Sequence, residues 1–428
     1  LEEKMLRLNY VLAALASTLL LGAVGTQAQE KVDLRFFCTS DTGGCDIWNE
    51  LLGRFEADNP TIHVTVDHLP YKAELETLPV QLAAGEGPDI AAVTDLAGLK
   101  RYYLDLTPYV DAERFEAQYG PSLAWLRGDD GGTEIYGFGS SLTVGGGYIN
   151  KTLFEQAEVD IPAEGATWED WARVTKDVAD KTETPYAMSM DRSGHRFAAV
   201  ATSYGAKLFG DDGRPVVDDG LRKAAELFVQ WHKDGIMPKE LWGDIGGTTY
   251  AEFFDQFRNG QTVMNFAGSW ALGRMQEIGD LFEWQAIPSP CGDEYCSVMP
   301  GGGAIVAIKN TKHPEEVAKV IDYMSQPEVI GEVLARTAEI PQNAALVESG
   351  ITYQNLDAAQ AAGLELFTAQ IPKIAPAAYR LQGSSYMIAY INALAARLSQ
   401  AINDELTVDE ALQRVVDDVN LAIDSASK

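Results

Sequence analysis

Between Lys31 and Val93 the chain switches repeatedly between strand and helix periodicity, and this rhythm restricts its fold more than any other feature. KVDLRFF (Lys31–Phe37) is a strand-like run. IWNELLGRFEADNP then repeats Ile47, Leu51, Leu52 and Phe55 at helical spacing and stops at Asn59-Pro60. TIHVTVDHL alternates like a half-buried strand, a second helical run covers Ala73–Ala84 and ends at GEGP, and DIAAV is a short buried strand. Strand, helix, strand, helix, strand is the βαβ rhythm of an open α/β domain. Ligands of such sheets sit beyond the carboxyl ends of the strands. Here those ends are the loops Cys38–Cys45 and Thr94–Gly98.

From about Ser140 the pattern changes. LTVGGGYINKTLF leads into a helix-rich stretch in which ATWEDWARVTKDVA carries a capping-box pair, Thr167 and Asp170. Helices are expected at Asp218–Asp234 and Tyr250–Arg258, a strand at TVMNFA, and a further crossing at PGGGAIVAI (Pro300–Ile308). KHPEEVAKVIDYMSQPEVIGEVLA reads as a helical hairpin, and Met387–Ala426 as helix with a break at Asn403-Asp404. There is no internal repeat and no low-complexity linker, so two lobes are expected to exchange chain several times.

The 428 residues are 46% hydrophobic, enough for two domains with proper cores. Against 33 Lys and Arg stand 63 Asp and Glu, a net charge of −30 that disfavours nucleic acid and anionic membranes as partners. Lys4 and Arg7 precede the apolar run VLAALASTLLLGAV and the small-residue stretch GTQAQ. That run is shorter than the roughly 20 residues a membrane span needs and reads as an export signal, residues 1–28, cut near Ala28. No Cys stands near the cut, so no lipid anchor is expected.

Export makes disulfides the first reading of the four Cys, which occur as two close pairs, Cys38/Cys45 and Cys291/Cys296. Three pairings are open, and the two local bridges are the simplest. Each short loop would add about 2 kcal/mol, bracing a loop rather than holding the fold. The five His are scattered, so no metal site is expected.

In order and spacing the chain resembles the extracellular sugar-binding proteins of bacterial ABC importers, the maltose-binding-like family. The matching pieces are LGRFEADNPTIHVTVDH, QLAAGEGPDIAAV, DLTPYV, IYGFGSSLTVGGGYINKTLF, IPAEGATWEDW, FRNGQTVMNFAGSW, PGGGAIVAIKNTKHPEEVAKVIDYMSQPE, EIPQNAAL and TVDEAL. They run from about residue 32 to 426. The resemblance implies an α/β, two-lobe periplasmic-binding-protein fold with a multi-crossing hinge and a ligand cleft between the lobes. It implies residues 30–141 plus 305–345 in one lobe and 142–304 plus 346–428 in the other, with crossings near Ser141–Thr143, Gly302–Ile305 and Pro341–Leu346. It further implies a monomeric periplasmic receptor, without cofactor or metal, that captures a neutral di- or oligosaccharide or glycoside and hands it to the membrane permease subunits of an ABC transporter.

A sugar offers hydroxyls that donate and accept, and a face of C–H bonds, so its site needs carboxylates or amides together with flat aromatics. Asp95, at the carboxyl end of DIAAV, either takes sugar hydroxyls or caps the turn that follows. Asp41 and Thr42 occupy the first strand–helix loop, where Gly43 and Gly44 let backbone approach a ligand; a plain helix-start turn is the alternative. Trp270 of GSW matches the family position that commonly stacks on a sugar, or is a core Trp. Gly301, Gly302 and Gly303 match the glycine stretch at the cleft, or form a tight turn.

In DRSGHRF, Asp191 is a candidate acceptor and His195 and Arg196 candidate donors, with a solvated loop as the alternative. Tyr148 before INK is a further candidate that could simply pack in the core; Trp242, Tyr204, Arg380 and Tyr386 are weaker ones, the best of them being Trp242, which looks exposed in ELWGDIGG.

Two rival readings keep the sequence in view. A secreted glycosidase needs two carboxylates roughly 5–10 Å apart, and no GxSxG, HExxH or P-loop pattern accompanies the acidic residues. The same fold could bind another small solute: an anionic sugar would draw on Arg196 and Arg380, whereas a cationic ligand would want several cleft acids and no Trp platform.

Overall fold

The computed structural model describes residues 31–40, 43–128, 131–243 and 250–426. The expected export signal and the candidates Asp41 and Thr42 lie outside the described residues.

The βαβ rhythm folds as its periodicity requires. β1 (Val32–Cys38) lies between β2 (Ile62–His68) and β3 (Ile90–Val93), parallel to both. Leu34 and Phe36 of β1 are fully buried, whereas Arg35 between them pairs with Asp67 at 2.7 Å on the outer face. The helix Gly44–Asp58 makes the crossover, burying Ile47, Trp48, Leu51, Leu52 and Phe55. It ends at Asn59, whose N–H donates to the Phe55 carbonyl at 2.9 Å just before Pro60. The second helical run is split into Tyr71–Glu76 and Leu78–Ala83. Pro79, with no N–H to give to the preceding turn, accounts for the break.

Beyond β3 the sheet continues through β8 (Pro300–Ala307), β4 (Gly137–Asn150), β6 (Thr262–Gly268) and β5 (Tyr186–Met190), in the order β2-β1-β3-β8-β4-β6-β5, with β7 (Trp284–Ile287) also on β4. Two strands cross the molecule. The first half of β4 pairs with β8, and its second half, from Gly145, pairs with β6 and β7. β8 in turn joins β3 through Ala304–Ala307 and β4 through Pro300–Val306. At the crossing, β4 bulges between Gly139 and Ser141, and Gly302 sits at φ +110°, where an added Cβ would be 2.0 Å from the Ser141 carbonyl oxygen. The Gln342 side chain ties both strands by donating to the carbonyls of Ser141 and Gly303.

The apolar residues form one large core on each side of this crossing. Phe36, Trp48, Phe115, Phe138, Ile305 and Leu334 belong to the first; Trp168, Phe197, Phe228, Trp242, Tyr390 and Leu398 belong to the second. A smaller cluster around Tyr148, Phe257 and Phe367 joins the second side. Leu346 and Ile351 still pack on the first core, while Tyr353 and Leu356 pack on the small cluster. Ile340, by contrast, already belongs to the small cluster, ahead of the helix Ala344–Ser349. The two-lobe α/β architecture is the one implied by the resemblance.

In the second lobe, Thr167 and Asp170 form the expected capping box at the helix Trp168–Thr182, an arrangement typically worth about 1 kcal/mol. The helices Asp219–Lys233, Met387–Ile402 and Val408–Ala426 close the core, the last two separated at Asn403-Asp404. Among the described residues no helix is long and apolar enough to cross a membrane.

Both local disulfides are formed, Cys38–Cys45 with Cα atoms 5.8 Å apart and Cys291–Cys296 with Cα atoms 3.9 Å apart. The second loop supplies N–H groups of Glu294 and Tyr295 to the Ser203 carbonyl, at 3.1 and 2.9 Å. It thereby satisfies the carboxyl end of the helix Gly194–Ser203.

Candidate ligand-binding site

A cavity of about 240 Å³ lies between the lobes at the crossing strands. Its first-lobe wall is built at the carboxyl ends of β1 and β3, where Thr39, Ser40, Glu74 and Thr94 line it. Ser140, Ser141, Thr143 and Gly301–Gly303 line it from the crossing strands, and Gly194, His195, Arg196 and Trp270 from the second lobe. Aliphatic side chains complete the lining, among them Ile330 from the first lobe and Met387 and Ile391 from the second.

On the first wall the central group is Glu74, which is 2% exposed. Its Oε1 accepts the Thr94 N–H at 2.5 Å and the Thr94 hydroxyl at 2.6 Å, and its Oε2 accepts the Thr39 hydroxyl at 3.2 Å. Burial pushes its pKa up to about 7 against these donors, with the nearby Asp95 charge adding to the rise. The Thr94 hydroxyl, having given its hydrogen to Glu74, receives one from the Tyr71 hydroxyl at 3.2 Å. Cys38 and Gly44 also line the cavity, so the Cys38–Cys45 bridge closes the loop that forms this rim. Within it the Ser40 hydroxyl oxygen accepts the Gly44 N–H at 2.8 Å.

On the second wall, the helix Gly194–Ser203 starts at the cavity. Gly194 allows this approach, since an added Cβ would lie 2.0 Å from the Ile391 carbonyl oxygen. His195 Nε2 lies 3.1 Å from the Pro300 carbonyl oxygen and 3.4 Å from Gln382 Oε1. A carbonyl only accepts, so Nε2 carries the hydrogen and Nδ1 accepts from Arg196 Nη1 at 3.1 Å. Burial, followed by the Arg196 charge, lowers the His195 pKa to about 4 and keeps the ring neutral.

Several candidates stand elsewhere than the sequence suggested. Asp95 does not line the cavity: its Oδ1 accepts the Gly98 N–H at 3.1 Å within the turn after β3, and burial pushes its pKa up to about 7. Thr94, one residue earlier, takes the cavity position. Asp191 is 3% exposed and lies behind the wall, where its Oδ1 accepts the Phe253 N–H at 3.0 Å and its Oδ2 lies 3.5 Å from Arg196 Nε. Burial raises its pKa, and Arg196 opposes the rise.

Tyr148 and Trp242 are corrections, since both are fully buried core residues. The Tyr148 ring packs among Phe257, Trp284 and Phe367, and its hydroxyl donates to the Gly268 carbonyl at 2.7 Å. Trp242 ends a one-turn helix, Lys239–Trp242, packed 4.7 Å from Phe228, which hides its ring despite polar neighbours in sequence. Tyr204 is likewise engaged away from the cavity, its hydroxyl donating to Glu169 at 2.6 Å.

Glu74, Thr39, Thr94 and Gln382 escaped the sequence reading. One signal for Glu74 was present: with Tyr71 and Leu78 it forms an i, i+3, i+7 stripe, so a carboxylate falls on the inward face of a helical run.

The profile of the bacterial extracellular solute-binding protein family matches residues 43–330. In sequence the chain is similar to the maltodextrin-binding protein MdxE of Bacillus subtilis, 24% identical over 68% of this chain and 69% of that protein. In structure it is similar to the ABC substrate-binding protein Lmo0181 from Listeria monocytogenes in complex with cycloalternan. That pair has a TM-score of 0.77 at 20% identity, covering 92% of this chain and 99% of the other. It also resembles maltose-bound MalE3 of T. maritima, with a TM-score of 0.72 at 18% identity over 91% and 100% of the two chains. These likenesses share the two-lobe fold, and the family is one of receptors rather than enzymes. The chain belongs to the bacterial extracellular solute-binding proteins.

Proposed function

We propose that the chain is the receptor of an ABC importer for a neutral carbohydrate, a di- or oligosaccharide or a glycoside, which it holds between its lobes and delivers to membrane permease subunits. The observation that carries this reading is the pairing of opposite walls around one cavity, an acceptor carboxylate at Glu74 and a donor guanidinium at Arg196, joined by hydroxyls at Ser140, Ser141 and Thr143. A polyol donates and accepts from the same groups, so it satisfies both walls at once. The relatives' sugar ligands support the same class.

In this reading the lobes are 30–141 with 305 to about 351, and 142–304 with the remainder. Capture draws the open form toward closure because ligand contacts both walls. The receptor acts in the periplasm as a monomer, exported by a leader cut near Ala28.

A thermal-shift screen with maltose, maltotriose, mannotriose and galacto-oligosaccharides tests the ligand class. A sugar at 100 times its Kd adds about 2.7 kcal/mol to stability and raises Tm accordingly. No shift with any neutral sugar would sink the proposal. Catalytic cleavage of the bound sugar would replace it with the glycosidase reading.

A further inference from the structure

The Trp270 ring is already covered. The Arg196 guanidinium carbon lies 4.0 Å from the ring centroid. A Cβ added to Gly268 would sit 1.9 Å from Trp270 Cζ3, so the six-membered ring rests directly on that glycine. A sugar cannot stack on the face of this indole that the guanidinium occupies.

The guanidinium is also held from its other sides. Its Nε lies 3.5 Å from Asp191 Oδ2, and Asp191 is itself fixed by the Phe253 N–H. Its Nη1 donates to His195 Nδ1, and His195 is fixed in turn by Pro300 and Gln382. Only 12% of the Arg196 side chain is exposed, yet the residue lines the cavity. A flat, always-charged fork locked in this way is a preorganised donor.

We infer that Arg196 is the second lobe's ligand-contacting residue and that Trp270 is a positioning residue behind it, holding the guanidinium flat so that its remaining N–H groups meet a ligand oxygen. This rests on the carbohydrate reading above and refines it. Asp191 neutralises the cation from behind and the Glu74 carboxylate stands on the other wall, so the site suits an uncharged hydroxyl or ring oxygen rather than a carboxylate or sulfate.

A double-mutant cycle by calorimetry, using whichever neutral sugar of the thermal-shift panel binds most tightly, tests the assignment. Arg196→Ala is expected to weaken binding about tenfold or more, as loss of a charge-assisted hydrogen bond does. Trp270→Ala weakens it comparably, and the double variant is no worse than Arg196→Ala alone, because the ring acts through the guanidinium. Trp270→Phe, which keeps a ring face under the cation, restores most of the affinity. If Arg196→Ala binds as well as or better than the parent while Trp270→Ala loses binding, the sugar stacks on the indole and the assignment is overturned.

Should Arg196→Ala fail to fold, Arg196→Lys keeps the charge but loses the planar fork, and unchanged affinity in that variant overturns the assignment too. A uronate bound more tightly than every neutral sugar would also overturn it. A parent protein that binds no sugar at all would defeat the carbohydrate reading itself, and this refinement with it.

Discussion

The two walls of the cavity are built from opposite chemistry. On the first, a carboxylate at Glu74 is fixed by donors from Thr94 and Thr39; on the second, a guanidinium at Arg196 is fixed by Trp270, Asp191 and His195. Each wall also has its own disulfide, but only one of the two borders the cavity. Cys38–Cys45 closes the rim loop itself, whereas Cys291–Cys296 caps the far end of the helix that presents His195 and Arg196. The first wall is therefore stiffened at the point of contact and the second through a helix. The bridge at the rim is therefore the one expected to lower the ordering cost of binding.

The largest effect is expected where a brace is buried. Glu74→Ala leaves the Thr94 N–H and two hydroxyls without their acceptor and should cost about 3 kcal/mol in urea unfolding of the free protein. Glu74→Gln, which keeps an acceptor oxygen, should recover most of it. A loss below about 1 kcal/mol for Glu74→Ala would show that the first wall does not depend on this carboxylate.

Next come the bridges. Replacing Cys38 and Cys45 together by Ala should cost about 2 kcal/mol and also weaken sugar binding, while replacing Cys291 and Cys296 should cost about as much stability with affinity unchanged. Equal effects on affinity would erase the distinction between a bridge at the rim and one at the far end of a helix.

A smaller effect separates the walls by pH. Glu74 holds its proton up to about 7 in the folded state, above its unfolded value. The folded chain then binds more protons than the unfolded one as pH rises from about 4.5 to 7, so this group makes stability fall across that window. Asp95, also raised to about 7, acts in the same direction, and Glu74→Gln isolates the Glu74 part. Ionised Glu74 is the better acceptor, so affinity should rise up to about tenfold between pH 6 and 8, the ratio of ionised fractions for such a group. In Glu74→Gln that rise should shrink. His195, neutral throughout this range, gives the second wall no comparable dependence.

The smallest effect concerns closure. Tyr71 of the first wall and Tyr250 of the second meet edge to face, with ring centroids 5.4 Å apart. Tyr250→Ala removes a pair worth about 1 kcal/mol and should speed sugar release roughly threefold in stopped-flow fluorescence. Tyr71→Ala should do the same, and the double variant no more. Additive losses would mean that each ring touches the ligand separately instead of joining the lobes.

The legible parts of this protein were those written in short-range pattern. The alternation in β1 and β2, the stop at Asn59-Pro60, the Thr167–Asp170 capping box and the close cysteine pairs each depend on neighbours a few residues away. The site was legible only in part. His195, Arg196 and Trp270 were named, but the contact that makes them one unit joins segments more than seventy residues apart. Asp95 looks functional as a carboxylate at a strand's carboxyl end, yet the turn that follows takes its carboxylate. Trp242 looked exposed because its sequence neighbours are polar, and a single helical turn hid it.

What the sequence alone determined is the order of strands and helices, because hydrophobic period and turn chemistry are local properties; the two-lobe fold came from the resemblance to a family. Only the tertiary structure decided which side chains form each wall. Gly268 beneath Trp270, Asp191 behind Arg196 and Thr94 beside Glu74 are partners by packing. Burial also set the charge of Glu74, Asp95 and His195, because desolvation depends on what surrounds a group in space and not on its neighbours in the chain.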